Sequence, residues 1–174
     1  MKRLLTAVLG WAVLAALAGN ALAQGNPRGT ARLTLNGKEI SVEYGRPALK
    51  GRTAEHMLGQ LKPGEVWRLG ADRSTTFSTA ADLAFGDVTV PKGTYSLWAR
   101  READNSWKLV FNKRHGQWGT EHNPAQDLAA APLKEEKEAK PAEQVTIELE
   151  NEHGGGEISV HWGDLELSTE FKAK

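Results

Sequence analysis

The residues best suited to chemistry in this chain are cations and aromatics gathered in three short stretches. Tyr44, Arg46, Lys50 and Arg52 form the first, Trp67 and Arg68 the second, and Asn112, Lys113, Gln117 and Trp118 the third. A guanidinium fork matches carboxylate, sulfate or phosphate, and flat aromatic side chains beside polar groups line sugar- or peptide-binding grooves. Tyr44, Arg46, Arg52, Trp67, Arg68, Asn112, Lys113, Gln117 and Trp118 are therefore the candidate ligand-binding residues. A purely structural reading competes with this one. In it Trp67 and Trp118 belong to the core or its edge, Arg68 pairs with a buried acid, and Asn112-Lys113 shapes a turn.

Other patterns point to chemistry less well. His153-Gly154-Gly155-Gly156 resembles an oxyanion-hole run, but no serine stands in a Gly-x-Ser-x-Gly elbow, so a glycine-rich hairpin loop explains it better. His56, His115, His122, His153 and His161 contain no close pair at metal-ligand spacing. Neither a metal site nor a cofactor nor a catalytic residue is expected. A hydrolase assembled from loop acids and histidines, with His115, His122 and Glu65 as its nearest candidates, stays open as an alternative. So does a structural or protein-interaction role.

The elements that must position these residues read as strands. Asn36-Gly37 between two alternating runs is a strong hairpin signal, because both residues tolerate φ > 0. Further short strands are expected at 66–69, 75–80, 83–85, 88–90, 94–101 and 107–113, joined by Gly-, Pro-, Asn- and Asp-rich turns. Thr53 can cap one short helix over 53–61. Alternation at 145–149, 158–162 and 165–171, with Gly163-Asp164 between the last two, predicts a three-strand meander. The Ala-, Lys- and Glu-rich segment 134–144, bounded by Pro132 and Pro141, reads as an exposed linker. The expected fold is an all-β antiparallel sandwich or flattened jelly-roll-like barrel of about ten short strands with one short helix.

Composition sets the frame. Lys2 and Arg3, an apolar stretch over 4–18 and Ala21-Leu22-Ala23 read as a signal peptide over residues 1–23, cleaved before Gln24. That predicts an exported, periplasmic or extracellular protein, with a flexible leader at 24–30 and a single domain over 31–174. No membrane span is expected after cleavage, and the absence of cysteine leaves stability to the core. Beyond residue 23 the chain carries 20 basic and 22 acidic residues, a balance that gives no support to nucleic acid as a partner. The charges are segregated: 15 basic and 9 acidic over 24–114, then 5 and 13 over 115–174. Strands of the two halves are expected to interleave these opposite charges. A basic face for an anionic ligand is the sharper possibility.

Five ordered stretches, Val42 to Arg52, Val66-Trp67-Arg68-Leu69-Gly70-Ala71, Thr75-Thr76-Phe77, Pro91 to Trp98, and Phe111-Asn112-Lys113 with Gln117-Trp118-Gly119, resemble an exported bacterial family catalogued as domain of unknown function 2911. The resemblance spans roughly residues 27–171. It implies export and a β-rich domain, carries no activity, and places Asp127 to Lys134 in a strand. The best functional expectation is an exported cell-envelope module, non-catalytic, holding a small anionic or glycan-like ligand.

Overall fold

Asn36 and Gly37, at φ of 50° and 73°, close the first hairpin, in which β1 (Arg28–Leu35) pairs with β2 (Lys38–Gly45). Both central residues at positive φ make a turn whose twist matches the flanking strands. The computed structural model describes residues 25–174, so the expected signal peptide lies outside the described residues. The expected leader 24–30 is not borne out over its last three residues. Residues 28–30 already belong to β1, and the Asn26 backbone N–H donates to Asp72 Oδ2 at 2.8 Å.

The chain continues through α1 (Ala54–Leu58), β3 (Val66–Trp67), β4 (Thr76–Thr79), β5 (Leu83–Phe85), β6 (Val88–Val90), β7 (Gly93–Arg101) and β8 (Trp107–Asn112). The Thr53 hydroxyl accepts from the His56 N–H and caps α1 as expected. A 3-10 turn over Pro124–Gln126 precedes two long strands, β9 (Asp127–Glu152) and β10 (Gly155–Ala173).

These two strands overturn two expectations. Segment 134–144 is largely exposed but is no linker; it is the middle of a 26-residue strand. Its first part pairs with β8, from Leu133 opposite Trp107 to Asp127 opposite Asn112, and the rest pairs with β10. The meander is likewise replaced. Gly163-Asp164 does not reverse the chain, because β10 runs through it with only a register shift. Between Lys137 and Thr146 β9 takes nine residue steps, while β10 takes four between Leu165 and His161. This wide bulge takes up Pro141, which cannot donate to a ladder, and Gly163 supports it at φ 61°. Strand pairing supplied by β10 overrides the helical propensity of the Lys/Glu/Ala run.

All ten strands form one antiparallel sheet that does not close, in the order β1-β2-β4-β7-β8-β9-β10-β5-β6, with β3 added to β7. The expected all-β sandwich is the observed fold, though two of its strands are long rather than short. A straight strand as long as β9 would reach about 85 Å. Instead it bends, and the sheet folds over it into two layers. Phe111 of β8 meets Phe85 of β5 at 5.1 Å between ring centroids, and Phe85 meets Phe171 of β10 at 5.2 Å. Strands that are not sheet neighbours therefore share one core, with Ile40, Phe77, Leu97, Leu109, Ile158 and Leu167 fully buried around these rings.

The charge segregation does not resolve as expected. Among the described residues only two ion pairs join a base of the first half to an acid of the second: Arg101–Glu135 at 3.8 Å, and Arg114–Glu121 at 2.6 Å within one loop. Along the β9–β10 ribbon acids instead face acids: Glu136 lies opposite Glu166 and Glu150 opposite Glu157. Burial, then the neighbouring carboxylates of Glu152, Glu170 and Glu150, hold Glu157 above the usual glutamate value of 4.5.

Candidate functional site

Two of the sequence motifs meet backbone to backbone. A Cβ added at Gly45 would fall inside van der Waals contact of the Ala71 carbonyl oxygen and 2.9 Å from the Ala71 nitrogen, so only glycine lets the chain after β2 lie against residues 70–71. On the far side of that contact, Leu69 and Asp72 hold left-handed backbone at φ of 52° and 63°. For a branched, fully buried leucine that conformation costs of order 1–3 kcal/mol and is sustained only by the structure around it. The strained turn fixes where Arg68 projects. Beyond it, Gly119 N–H donates to Asp72 O at 2.7 Å, and Ser74 N–H donates to Gln117 O at 2.9 Å, tying the third motif to the second.

A cleft of about 350 Å³ opens between the 47–52 loop and residues 67–71, with Met57 and Leu58 of α1 on one side. Its charged lining is Lys50, Arg52 and Arg68, with no carboxylate among the lining residues. Arg52 spends Nε and Nη2 on the carbonyls of Leu49 and Ala48, at 2.8 and 3.3 Å. Among the described residues, no acceptor or carboxylate engages the Arg68 guanidinium. Two acids that touch lining residues are turned to backbone: Glu143 Oε1 accepts from Lys50 N–H, and Asp72 Oδ2 from Asn26 N–H.

The cleft's inner wall is an indole pair. Trp67 stacks on Trp162 of β10 at 5.5 Å and 13° between planes, and both are buried. Trp162 Nε1 is the one buried side-chain donor among the described residues without a hydrogen-bond partner. A buried N–H left unsatisfied costs about 1–3 kcal/mol. By contrast, the 220 Å³ recess between α1 and the β9–β10 ribbon contains its own ion pair, with Arg101 beside Glu135 and 4.8 Å above the Trp107 ring.

The other expected site residues divide. Tyr44 is buried and donates to Ile147 O at 3.2 Å, and Arg46 donates to Val145 O and Thr146 Oγ1, each at 3.2 Å, so both lock the 44–46 segment to β9. Asn112 is fully buried, donates to Asn123 O and Asp127 Oδ1, and accepts from Arg114 N–H. Gln117 donates to Ser96 Oγ at 3.2 Å, Lys113 donates its backbone N–H to Gln126 O, and Trp118 is 50% exposed with its backbone bridged to Arg73. The structure thus gathers Arg52, Trp67 and Arg68 of the expected set, with Lys50, and leaves Tyr44, Arg46, Asn112, Lys113, Gln117 and Trp118 outside the cleft.

A second depression of about 340 Å³ shares Met57, Leu58, Trp67 and Arg68 with the first and runs on to Trp98, Gly119 and His122. Its floor is Trp98, 2% exposed, whose ring lies 4.9 Å from His122. His122 Nε2 sits 2.9 Å from Asp127 Oδ1. Trp162 and Trp98 are the aromatic lining residues that sequence reasoning missed. Alternation marks Trp162 as an ordinary core residue beside Ile158 and Val160, and no sequence signal reveals that its N–H goes unmet.

A folded-over antiparallel sheet carrying a cation-lined cleft defines an all-β domain of the sandwich type. The family model described as protein of unknown function (DUF2911) matches residues 26–171, and the chain belongs to that family. No curated protein and no solved structure matches it.

Proposed function

We propose that this chain is an exported cell-envelope protein that holds a small anionic ligand, non-catalytically, in the cleft between residues 47–52 and 67–71. One observation carries the reading. Three cations line a cleft that has no carboxylate of its own. Such a site is electrostatically unfinished until an anion enters, and a guanidinium fork gives that anion a fixed orientation. The apolar wall of Met57, Leu58 and the two stacked indoles suits a ligand whose anionic group is attached to an apolar or sugar-like body.

The test uses the chain from Gln24, titrated with phosphate, sulfate and glucuronate while thermal unfolding is followed. At about 100 times Kd a ligand adds about 2.7 kcal/mol, which for a domain of this size raises Tm by roughly 5–10 °C. Arg68→Ala is expected to keep the unliganded Tm and lose that rise. An Arg68→Ala protein that fails to fold, or one that keeps the full rise, overturns the assignment. Export is checked by fractionation and N-terminal sequencing, with Gln24 the expected first residue. A protein retaining Met1 in the cytoplasm overturns it.

A further inference from the structure

The bulge between β9 and β10 brings together residues that lie far apart in sequence. Glu138, His161 and Glu166 each offer one ligand atom, and these atoms all lie within 4.8 Å of one another. His161 Nδ1 is 2.9 Å from Glu138 Oε1. In a regular strand His161 and Glu166, five residues apart, would point to opposite faces of the sheet. The irregular stretch around Gly163 reverses that alternation, and the extra residues of β9 swing Glu138 in beside them.

We propose that Glu138, His161 and Glu166 form a site for one divalent transition-metal ion, with Zn²⁺ the best-suited occupant. One imidazole and two carboxylates are a donor set of intermediate softness that Zn²⁺ accepts, whereas Ca²⁺ and Mg²⁺ take oxygen ligands. Ligand atoms at the usual zinc distances stand about 3.3 Å apart in a tetrahedron, a spacing this cluster reaches by small side-chain rotations.

Two features outside the trio favour an ion here. The imidazole is oriented from behind: Nε2 lies 2.9 Å from Ser159 Oγ, so an Nε2–H donated to that hydroxyl leaves the Nδ1 lone pair facing Glu138. This is how a metal-ligating histidine is ordinarily fixed in tautomer and angle. The second feature is the ribbon itself. Glu136 stands directly opposite Glu166, and Glu148 Oε2 lies 3.7 Å from His161 Nε2. Like charges facing each other across strands repel, and a dication beside Glu166 offsets that repulsion. Three protein ligands leave a fourth position open to water or to an anion.

The site is separate from the anion cleft, although His161 and Trp162 are adjacent, so the two proposals fail independently. The test strips the chain from Gln24 with chelator and titrates it with Zn²⁺ by calorimetry. One ion per chain is expected. Glu138→Gln and Glu166→Gln each lower the affinity by about tenfold or more, Ser159→Ala lowers it roughly tenfold, and all three fold without metal. His153, whose Nδ1 lies 3.4 and 3.2 Å from Glu152 and Glu170, is the competing surface site, and His153→Ala leaves the affinity unchanged. X-ray absorption of the loaded wild-type chain shows one imidazole nitrogen in an otherwise oxygen shell. Absence of binding, binding that survives both glutamine variants, loss in His153→Ala, or two imidazoles in the spectrum overturns the proposal.

Discussion

Gly45 has space for a hydrogen and nothing larger, because the Ala71 carbonyl occupies the position a methyl group would take. Gly45→Ala must therefore push apart two segments that also carry Arg46 and Arg68. An overpacking cost of about 1–3 kcal/mol is expected, read as a lower urea midpoint with unchanged slope. A variant as stable as wild type would show that the two segments slide freely. Glu157 supplies a pH prediction. Its folded-state pKa is raised, so the folded chain binds more protons than the unfolded one above pH 4.5, and stability falls as pH rises through the folded value. Glu157→Gln removes that loss. The variant should be more stable than wild type at pH 7 and match it below pH 4, as followed by thermal unfolding across that range. Arg52, Trp67 and Arg68, picked out by residue type, are the expected residues that the fold gathers around one cleft. Asn112 and Gln117 were not distinguishable from them, since an amide that organises buried backbone and one that meets a ligand are the same residue until its partners are seen.

The elements show why some of the fold could be read and some could not. The Asn36-Gly37 hairpin was legible because its turn needs two residues at positive φ and the sequence names both. The middle of β9 was not, because its strand character comes from β10, a partner whose register no local window contains. Gly163 misled for a related reason: the same positive φ serves a turn or a bulge, and only the neighbouring strand decides which. Gly163→Ala should then act on the bulge. It places a side chain at φ 61° and 3.3 Å from Leu49, costing about 1 kcal/mol. It should also weaken Zn²⁺ binding by shifting His161 relative to Glu166, as calorimetry would register. The β9–β10 turn offers the opposite change. His153 and Gly154 stand at φ of 44° and 76°, and asparagine suits the first position better than histidine. His153→Asn should raise stability by a few tenths of a kcal/mol, roughly 1 °C in Tm.

For the whole molecule the decisive fact is that charge is sorted rather than mixed. The cleft is lined by three cations, while the β9–β10 ribbon sets glutamate against glutamate. Self-repulsion within such a ribbon is screened by salt over about 10 Å at 0.1 M. Stability should accordingly rise between low and moderate ionic strength in metal-free buffer, a trend that denaturant midpoints would reveal. A flat or falling response would mean that the carboxylates are already compensated. The main strand path ends in two edges, with the two-residue β3 a third strand that has a single partner. β6, at three residues, is too short to recruit another strand, and β1 carries Arg28 and Arg32 along its length.

The stacked pair Trp67 and Trp162 has one more property. Indoles held nearly parallel at 5.5 Å couple their electronic transitions and share an excited state, which gives paired bands of opposite sign in circular dichroism. Because one ring belongs to β3 and the other to β10, that optical signal exists only while the two layers of the sheet are closed on each other. The cleft therefore carries its own built-in gauge of tertiary closure, sensitive to whatever comes to rest against its inner wall.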